Sequence, residues 1–335
     1  MNIKTEKFKR YPVEKPITES INAIHKSIDG SVWVGGKNVY HLKPSTQKII
    51  QYNRKLDFEI RDEESFVGAL YIDEQKTILV AYNNIGVFRA SKNTSKVKII
   101  DDISPEYTNV HLLKKGLNDT FWIAFSEGLY QARWQNDTLK TKKIERQDNT
   151  EFNRVRDIHL GRNDSTWVID NNSISVIKRE DNSVITYSIP NSILNKSAGY
   201  SIVEDFNGNI WFSVSRNGIF KLNPETQSFT REPVLEPEQL HAWYFTDLTI
   251  SKDRKKLLYI KSSSGFGQLN IVTNEITFAY TDRKIINNYE KKHPLRESTA
   301  WSIASEEFTK KLWITHAETF VSWYDPVKDE GKTID

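Results

Sequence analysis

The 335-residue chain has no cysteine, a single methionine and no long apolar run. Without cysteine there can be no disulfide, no thiolate zinc site and no cysteine nucleophile. A membrane-spanning helix needs about 18 consecutive apolar residues, and no such stretch exists. The first twenty residues carry charges throughout and lack the apolar core of a secretion signal. An excess of one charge is missing too. Lys and Arg number 47 against 44 Asp and Glu, so no strong overall field calls for nucleic acid or an anionic membrane. Short basic clusters at Lys114-Lys115, around 140–143 and at Lys255-Lys256 are scattered, as on a soluble surface. The seven histidines show no H-E-x-x-H or other metal spacing, and there is no G-x-S-x-G. The expectation is therefore a chain without metal, cofactor or catalytic machinery. The only methionine is Met1, which together with the missing signal suggests a piece trimmed from a longer protein.

What is present is apolar and strongly aromatic. Residues of the apolar class make up 38% and aromatics 12%, which is enough for a packed core and argues against disorder. Length alone suggests two domains. The internal repeat changes that reading. The segment from Tyr200 to Glu232 runs as a short apolar strand, an Asn207-Gly208 turn, a strand carrying Trp211, a loop, a third strand ending at Asn223-Pro224 and a fourth strand. The segment from Ile21 to Asn53 repeats it, with Asp29-Gly30 as the turn and Trp33 as the anchor. Trp122, Trp167 and Trp313 mark three more copies, and Leu79 and Leu258 replace the Trp in two others. The anchors lie 46, 43, 45, 44, 47 and 55 residues apart. A period near 45 with about four strands per unit is that of a propeller blade. Asn-Gly and Asp-Gly between β-branched and aromatic runs are hairpin signals, because both turn residues tolerate positive φ.

The expected fold is therefore all-β, a seven-bladed β-propeller with four antiparallel strands per blade. One domain spans 1–335, with blades near 20–53, 66–101, 108–146, 152–189, 199–232, 241–281 and 299–326. The opening strand at 3–12 resembles the fourth strand of other units, so it is expected to complete the last blade and close the ring. The longest interval places an insertion near 285–296.

The spacing I-x-x-I-x-x-D-x-x-G-x-[IL]-W-[IV]-G-T-x-x-x-G-[IL] resembles the regulator-propeller repeat of bacterial two-component sensors. Ile202, Asp205, Gly208, Ile210, Trp211, Gly218 and Ile219 occupy its positions, as do Ile21, Ile24, Gly30, Val32, Trp33, Val34 and Gly35 in the first unit. The units around Leu79 and Leu258 are degenerate. The resemblance implies a periplasmic, oligosaccharide-sensing module of a hybrid two-component receptor. Its partners would be a small ligand, an adjacent propeller of the same receptor and, in the full receptor, a second copy. Signalling itself would belong to a kinase elsewhere in that receptor.

Residues that keep a repeat build its core, and residues that break it are free to bind. The anchor Trp residues are therefore assigned to packing between sheets. Eleven residues before each anchor, with small shifts in the last two units, stand Asn22, Gly68, His111, Arg156, Tyr200, Trp243 and Trp301. These positions open the first strand of each unit. Loops at the same end add Lys37, Asn38, Asn83, Asn84, Glu127, Asn171, Asn172, Arg216, Asn217 and His316. The expected ligand-binding set is His111, Arg156, Tyr200, Arg216, Asn217, Trp243, Trp301, Asn84, Asn172 and His316. Aromatic faces suit sugar rings, amides suit hydroxyl groups, and the two arginines favour a carboxylate or sulfate. A protein-binding scaffold is the alternative, with the rim aromatics as hot spots. A lyase or lactonase using His111, His316 and Glu318 is a further one.

Overall fold

The computed structural model describes residues 23–26, 31–43, 48–52, 67–72, 78–82, 86–90, 97–99, 110–118, 120–125, 128–135, 138–231, 245–251, 254–261, 265–280, 300–305, 312–316, 321–325 and 330–334. They form four-stranded antiparallel sheets in which strands adjacent in sequence are adjacent in space. In chain order these are sheets 1 to 7, spanning 23–52, 67–99, 110–144, 157–188, 199–231, 245–280 and 300–334. Helix is confined, among the described residues, to one turn at Asn191–Leu194 and a 3₁₀ turn at Arg162–Asp164. The expected insertion near 285–296 lies outside the described residues.

The chain divides into two compact units, Met1–Val155 and Arg156–Asp335. In the first, the opening strands of sheets 1, 2 and 3 pack in succession. In the second, those of sheets 4, 5, 6 and 7 do the same. Each sheet thus buries its faces against its neighbours within a unit. Trp33, Trp122, Trp167 and Trp211 are all buried, as is Leu258 where the Trp is replaced. This bears out the packing assignment for these anchors. Trp33 stacks on His41 of the neighbouring strand at 3.8 Å between centroids. Two clusters join the sheets of the second unit. One joins Trp167 and Ile169 of sheet 4 to Ile202, Phe212 and Phe220 of sheet 5. Another joins Trp211 and Val203 of sheet 5 to Leu248 and Tyr259 of sheet 6.

The repeated motif has a local cause that is visible in sheet 5. The fully buried Asp205 carboxylate accepts the backbone N–H groups of Asn207 and Asn209 at 2.8 and 2.9 Å. Its other oxygen accepts Asn209 Nδ2 at 3.0 Å and the Trp211 indole N–H at 2.8 Å. One side chain therefore shapes the turn and fixes the core Trp. Gly208 has φ +86, which explains the glycine of the motif. In sheets 3 and 4 a glycine, Gly116 or Gly161, stands six residues before the Trp. There the indole N–H of Trp122 or Trp167 has no acceptor. The glycine two residues after Trp33 has a different cause. A Cβ on Gly35 would lie 2.5 Å from Val67 Cγ1, so the backbone of sheet 1 approaches sheet 2 too closely for a side chain.

The last sheet corrects one expectation. Its fourth strand is Glu330–Ile334, paired antiparallel with Val321–Asp325. The opening segment 3–12, expected in that position, lies outside the described residues. Hairpin closure over a few residues costs far less chain entropy than recruiting a segment some three hundred residues away. The polar EGKTI run was too weakly apolar to be recognised as a strand.

Replacing Asp205 by alanine should destabilise the fold by about 2–4 kcal/mol, because four donors lose a buried acceptor together. Urea unfolding of D205A beside the parent chain measures this, and an unchanged midpoint would refute the role.

Candidate functional site

Sheets 4 and 5 present two contrasting ends. At one end the opening strands begin. The Asp157 carboxylate on the opening strand of sheet 4 accepts Ser201 Oγ at 3.0 Å and Ile202 N–H at 3.1 Å from sheet 5. Ser201 Oγ in turn accepts Leu248 N–H of sheet 6 at 3.3 Å. This short chain of hydrogen bonds sets the spacing of three opening strands. It thereby brings Arg156, just before one strand, beside Tyr200, the second residue of the next.

The Arg156 guanidinium carbon lies 5.7 Å from the centre of the Tyr200 ring. Its Nε donates to Asn171 Oδ1 at 3.0 Å. The Asn171 carbonyl accepts Gly199 N–H at 3.1 Å, which ties the loop of sheet 4 to the strand carrying Tyr200. That loop is shaped by buried Asp170, whose Oδ1 accepts Asn172 N–H, Ser173 N–H and Ser173 Oγ at 2.8–3.1 Å. Asn172 is exposed at its tip. Tyr200 is 39% exposed, a large aromatic face open to solvent beside a positioned cation.

Arg216 crowns the neighbouring hairpin of sheet 5 at φ 66 and is exposed. The Asn217 amide instead donates to the Ile193 carbonyl, anchoring the short helix Asn191–Leu194 against the loop. Ser197 Oγ donates to the Ser215 carbonyl and reinforces the same contact. The structure thus brings Arg156, Tyr200 and Asn171 together, with Asn172 on the same loop, and puts Asn217 to work holding the helix. His111, Trp301 and His316 fall on strands, but their side chains are not among those described. Trp243 and Asn84 lie outside the described residues. Sequence reasoning missed Asp157, Ser201 and Asp170. An Asp or Ser at such places carries no signal until the folded chain supplies its partners, from the neighbouring sheet for Asp157 and Ser201 and from its own loop for Asp170.

The other end of the same two sheets holds a groove of about 1130 Å³ between their turns. Its inner wall carries Glu204, with a side chain only 8% exposed. Glu204 accepts Arg162 N–H at 2.6 Å and Arg254 Nη1 at 2.8 Å, with Arg162 Nε at 3.4 Å. Arg162 also donates to the Phe206 carbonyl. Arg179 is paired with Asp164. Trp167 lies in the floor, stacked with Tyr187 at 6.2 Å. Burial pushes the Tyr187 phenol above its usual value, so it stays neutral through the physiological range. Among the described residues no group of three or more His, Cys, Asp or Glu could hold a metal ion. Nor is any helix among them long and apolar enough to cross a membrane.

Sheets of this form, stacked through their opening strands, define a propeller-type β fold. No protein-family model matches the chain, and no curated protein matches it. Solved structures do. The extracellular domain of the hybrid two-component system BT3049 from B. thetaiotaomicron aligns at 16% identity and a TM-score of 0.62 over 92% of this chain. This chain spans only 40% of that one. Virginiamycin B lyase from Staphylococcus aureus aligns at 15% identity and TM-score 0.58, covering 89% of this chain and 92% of the enzyme. YCF48 from Cyanidioschyzon merolae aligns at 12% identity and TM-score 0.62, covering 95% and 99%. YCF48 is also solved bound to D1 peptide. What these proteins share with the chain at such identities is the fold.

Arg254→Ala should cost about 1.5–3 kcal/mol, because Glu204 loses one charge-assisted hydrogen bond and keeps its contacts with Arg162. Tyr200→Ala should change stability by no more than about 0.5 kcal/mol, as an exposed side chain off the core. Thermal and urea unfolding of the two variants distinguish a structural arginine from a displayed tyrosine.

Proposed function

We propose that this chain is the ligand-sensing module of an extracytoplasmic, periplasmic receptor of the two-component type. Its seven sheets are read as the blades of one closed propeller over 1–335. The ligand is read as an oligosaccharide held at the rim where the opening strands begin, and the module as non-catalytic. The observation that carries this reading is the Arg156–Tyr200–Asn171 cluster. An exposed aromatic face beside an oriented guanidinium and amides is suited to stack a sugar ring while binding its hydroxyl or acidic groups. The motif spacing around Trp33 and Trp211 and the likeness to the BT3049 extracellular domain support the sensory context. In the full receptor an adjacent propeller and a second copy of the chain would be the protein partners.

The experiment is calorimetric titration of the chain with a panel of neutral and acidic oligosaccharides. Arg156→Ala and Tyr200→Ala should each weaken the ligand found by about 10–100-fold, the worth of one charge-assisted hydrogen bond or one stacked ring. Binding that is indifferent to both substitutions would overturn the rim assignment. The likeness to virginiamycin B lyase over nearly the full length of both chains favours one second reading, a lyase. Turnover of the ligand during the same titrations, lost in His111→Ala or His316→Ala, would establish it over a sensor.

A further inference from the structure

The groove at the far end of sheets 4 and 5 is built differently from the rim. Three cations line it, Arg162, Lys178 and Arg179, against four carboxylates, Asp164, Glu180, Glu204 and Glu225. The arginines are already engaged, Arg162 by Glu204 and the Phe206 carbonyl and Arg179 by Asp164. A third guanidinium, that of Arg254, reaches the same Glu204. The buried Glu204 holds Arg162 and Arg254 in place, while Lys178, Glu180 and Glu225 stand exposed in the lining, so there is no excess of positive charge to draw an anion.

Neutral polar groups remain. Asn163, held at φ 56, and Asn207 both stand exposed in the turns that form the two walls. Their amides make no hydrogen bond with any described residue, and each offers a donor and an acceptor. Ser165 gives its hydroxyl hydrogen to the Arg162 carbonyl at 2.9 Å and keeps its oxygen as an acceptor. At the floor, Trp167 is 6% exposed and its indole N–H has no acceptor, because Gly161 stands where sheet 5 has Asp205. The volume, about 1130 Å³, is slightly above the usual range of small-ligand clefts, which run to about 1,000 Å³.

This charge balance disfavours an anion, and the two amides favour a ligand that gives and accepts hydrogen bonds repeatedly. Hydroxyl groups on an otherwise apolar ring do both. We infer that this groove is a second binding site, distinct from the rim, for a neutral hydroxyl-rich ligand of the size of a short uncharged glycan. The two amides read its hydroxyl groups, the Arg162–Glu204 pair braced by Arg254 fixes one wall, and the Trp167 edge forms the floor. The inference stands on the groove alone and does not depend on the rim reading.

Its test is titration of the full chain with the uncharged trisaccharides maltotriose, xylotriose and cellotriose, and with trigalacturonic acid as the acidic counterpart. In an Arg156→Ala, Tyr200→Ala background, which removes the rim cluster, at least one neutral trisaccharide should bind in the millimolar range or tighter, ahead of the acidic one. The double variant Asn163→Gly with Asn207→Ala should weaken it about tenfold or more. Glycine is chosen at 163 because it keeps the left-handed backbone, and unfolding curves of the double variant verify its fold. Tyr200→Ala should leave this binding unchanged, which separates the groove from the rim. No binding of any neutral trisaccharide at millimolar concentration would overturn the inference. So would preference for the acidic sugar in the Arg156→Ala, Tyr200→Ala background, or loss in Tyr200→Ala with retention in the Asn163→Gly, Asn207→Ala variant.

Discussion

Burial of one sheet face against the next is the constraint on which the rest of this structure depends. A four-stranded sheet of five- or six-residue strands has two faces and too little area to be stable alone. Here Trp211 and Val203 of sheet 5 meet Leu248 and Tyr259 of sheet 6, while Ile202 and Phe212 on the other face meet Ile169 of sheet 4. The same strand therefore serves two interfaces, odd positions on one side and even positions on the other. Close approach follows from this demand. It admits no side chain at Gly35, and it puts Ser201 within reach of both Asp157 and Leu248.

Because the sheets are committed to packing, chemistry is left to the ends of their strands. The two ends differ in electrostatics. At the rim a cation is displayed beside an aromatic ring. In the groove the arginines are spent on carboxylates of the same chain, most of all on Glu204, which takes hydrogen bonds from Arg162 and Arg254. A buried carboxylate with a single partner would be costly, and two guanidinium groups from different turns make it tolerable. The same clamp ties the turns of sheets 4, 5 and 6 together.

Much of this was legible in the residues. The interval between Trp33, Trp122, Trp167 and Trp211 specified repeated four-stranded sheets, and their burial follows from their recurrence at one position of the second strand. Arg156 and Tyr200 were legible as a pair because they break the repeat at equivalent places. The last strand was not, since Glu330–Ile334 is polar and borrows its strand character from Val321–Asp325 beside it. Asp205 could be seen as part of a motif, but its bond to Trp211 could not. Nor could the groove, whose walls come from four turns separated by up to sixty residues.

The sequence by itself determined the element type, the repeat length and the residues that fill the space between sheets, because periodicity and turn chemistry are local properties. Only the tertiary structure decided which polar groups are spent and which are offered. Asn217 and Asn163 are the same residue in similar turns, yet one is consumed by the Ile193 carbonyl and the other faces an open groove. That difference arises from what the neighbouring elements place within hydrogen-bonding distance, about 3 Å, and no local pattern encodes it.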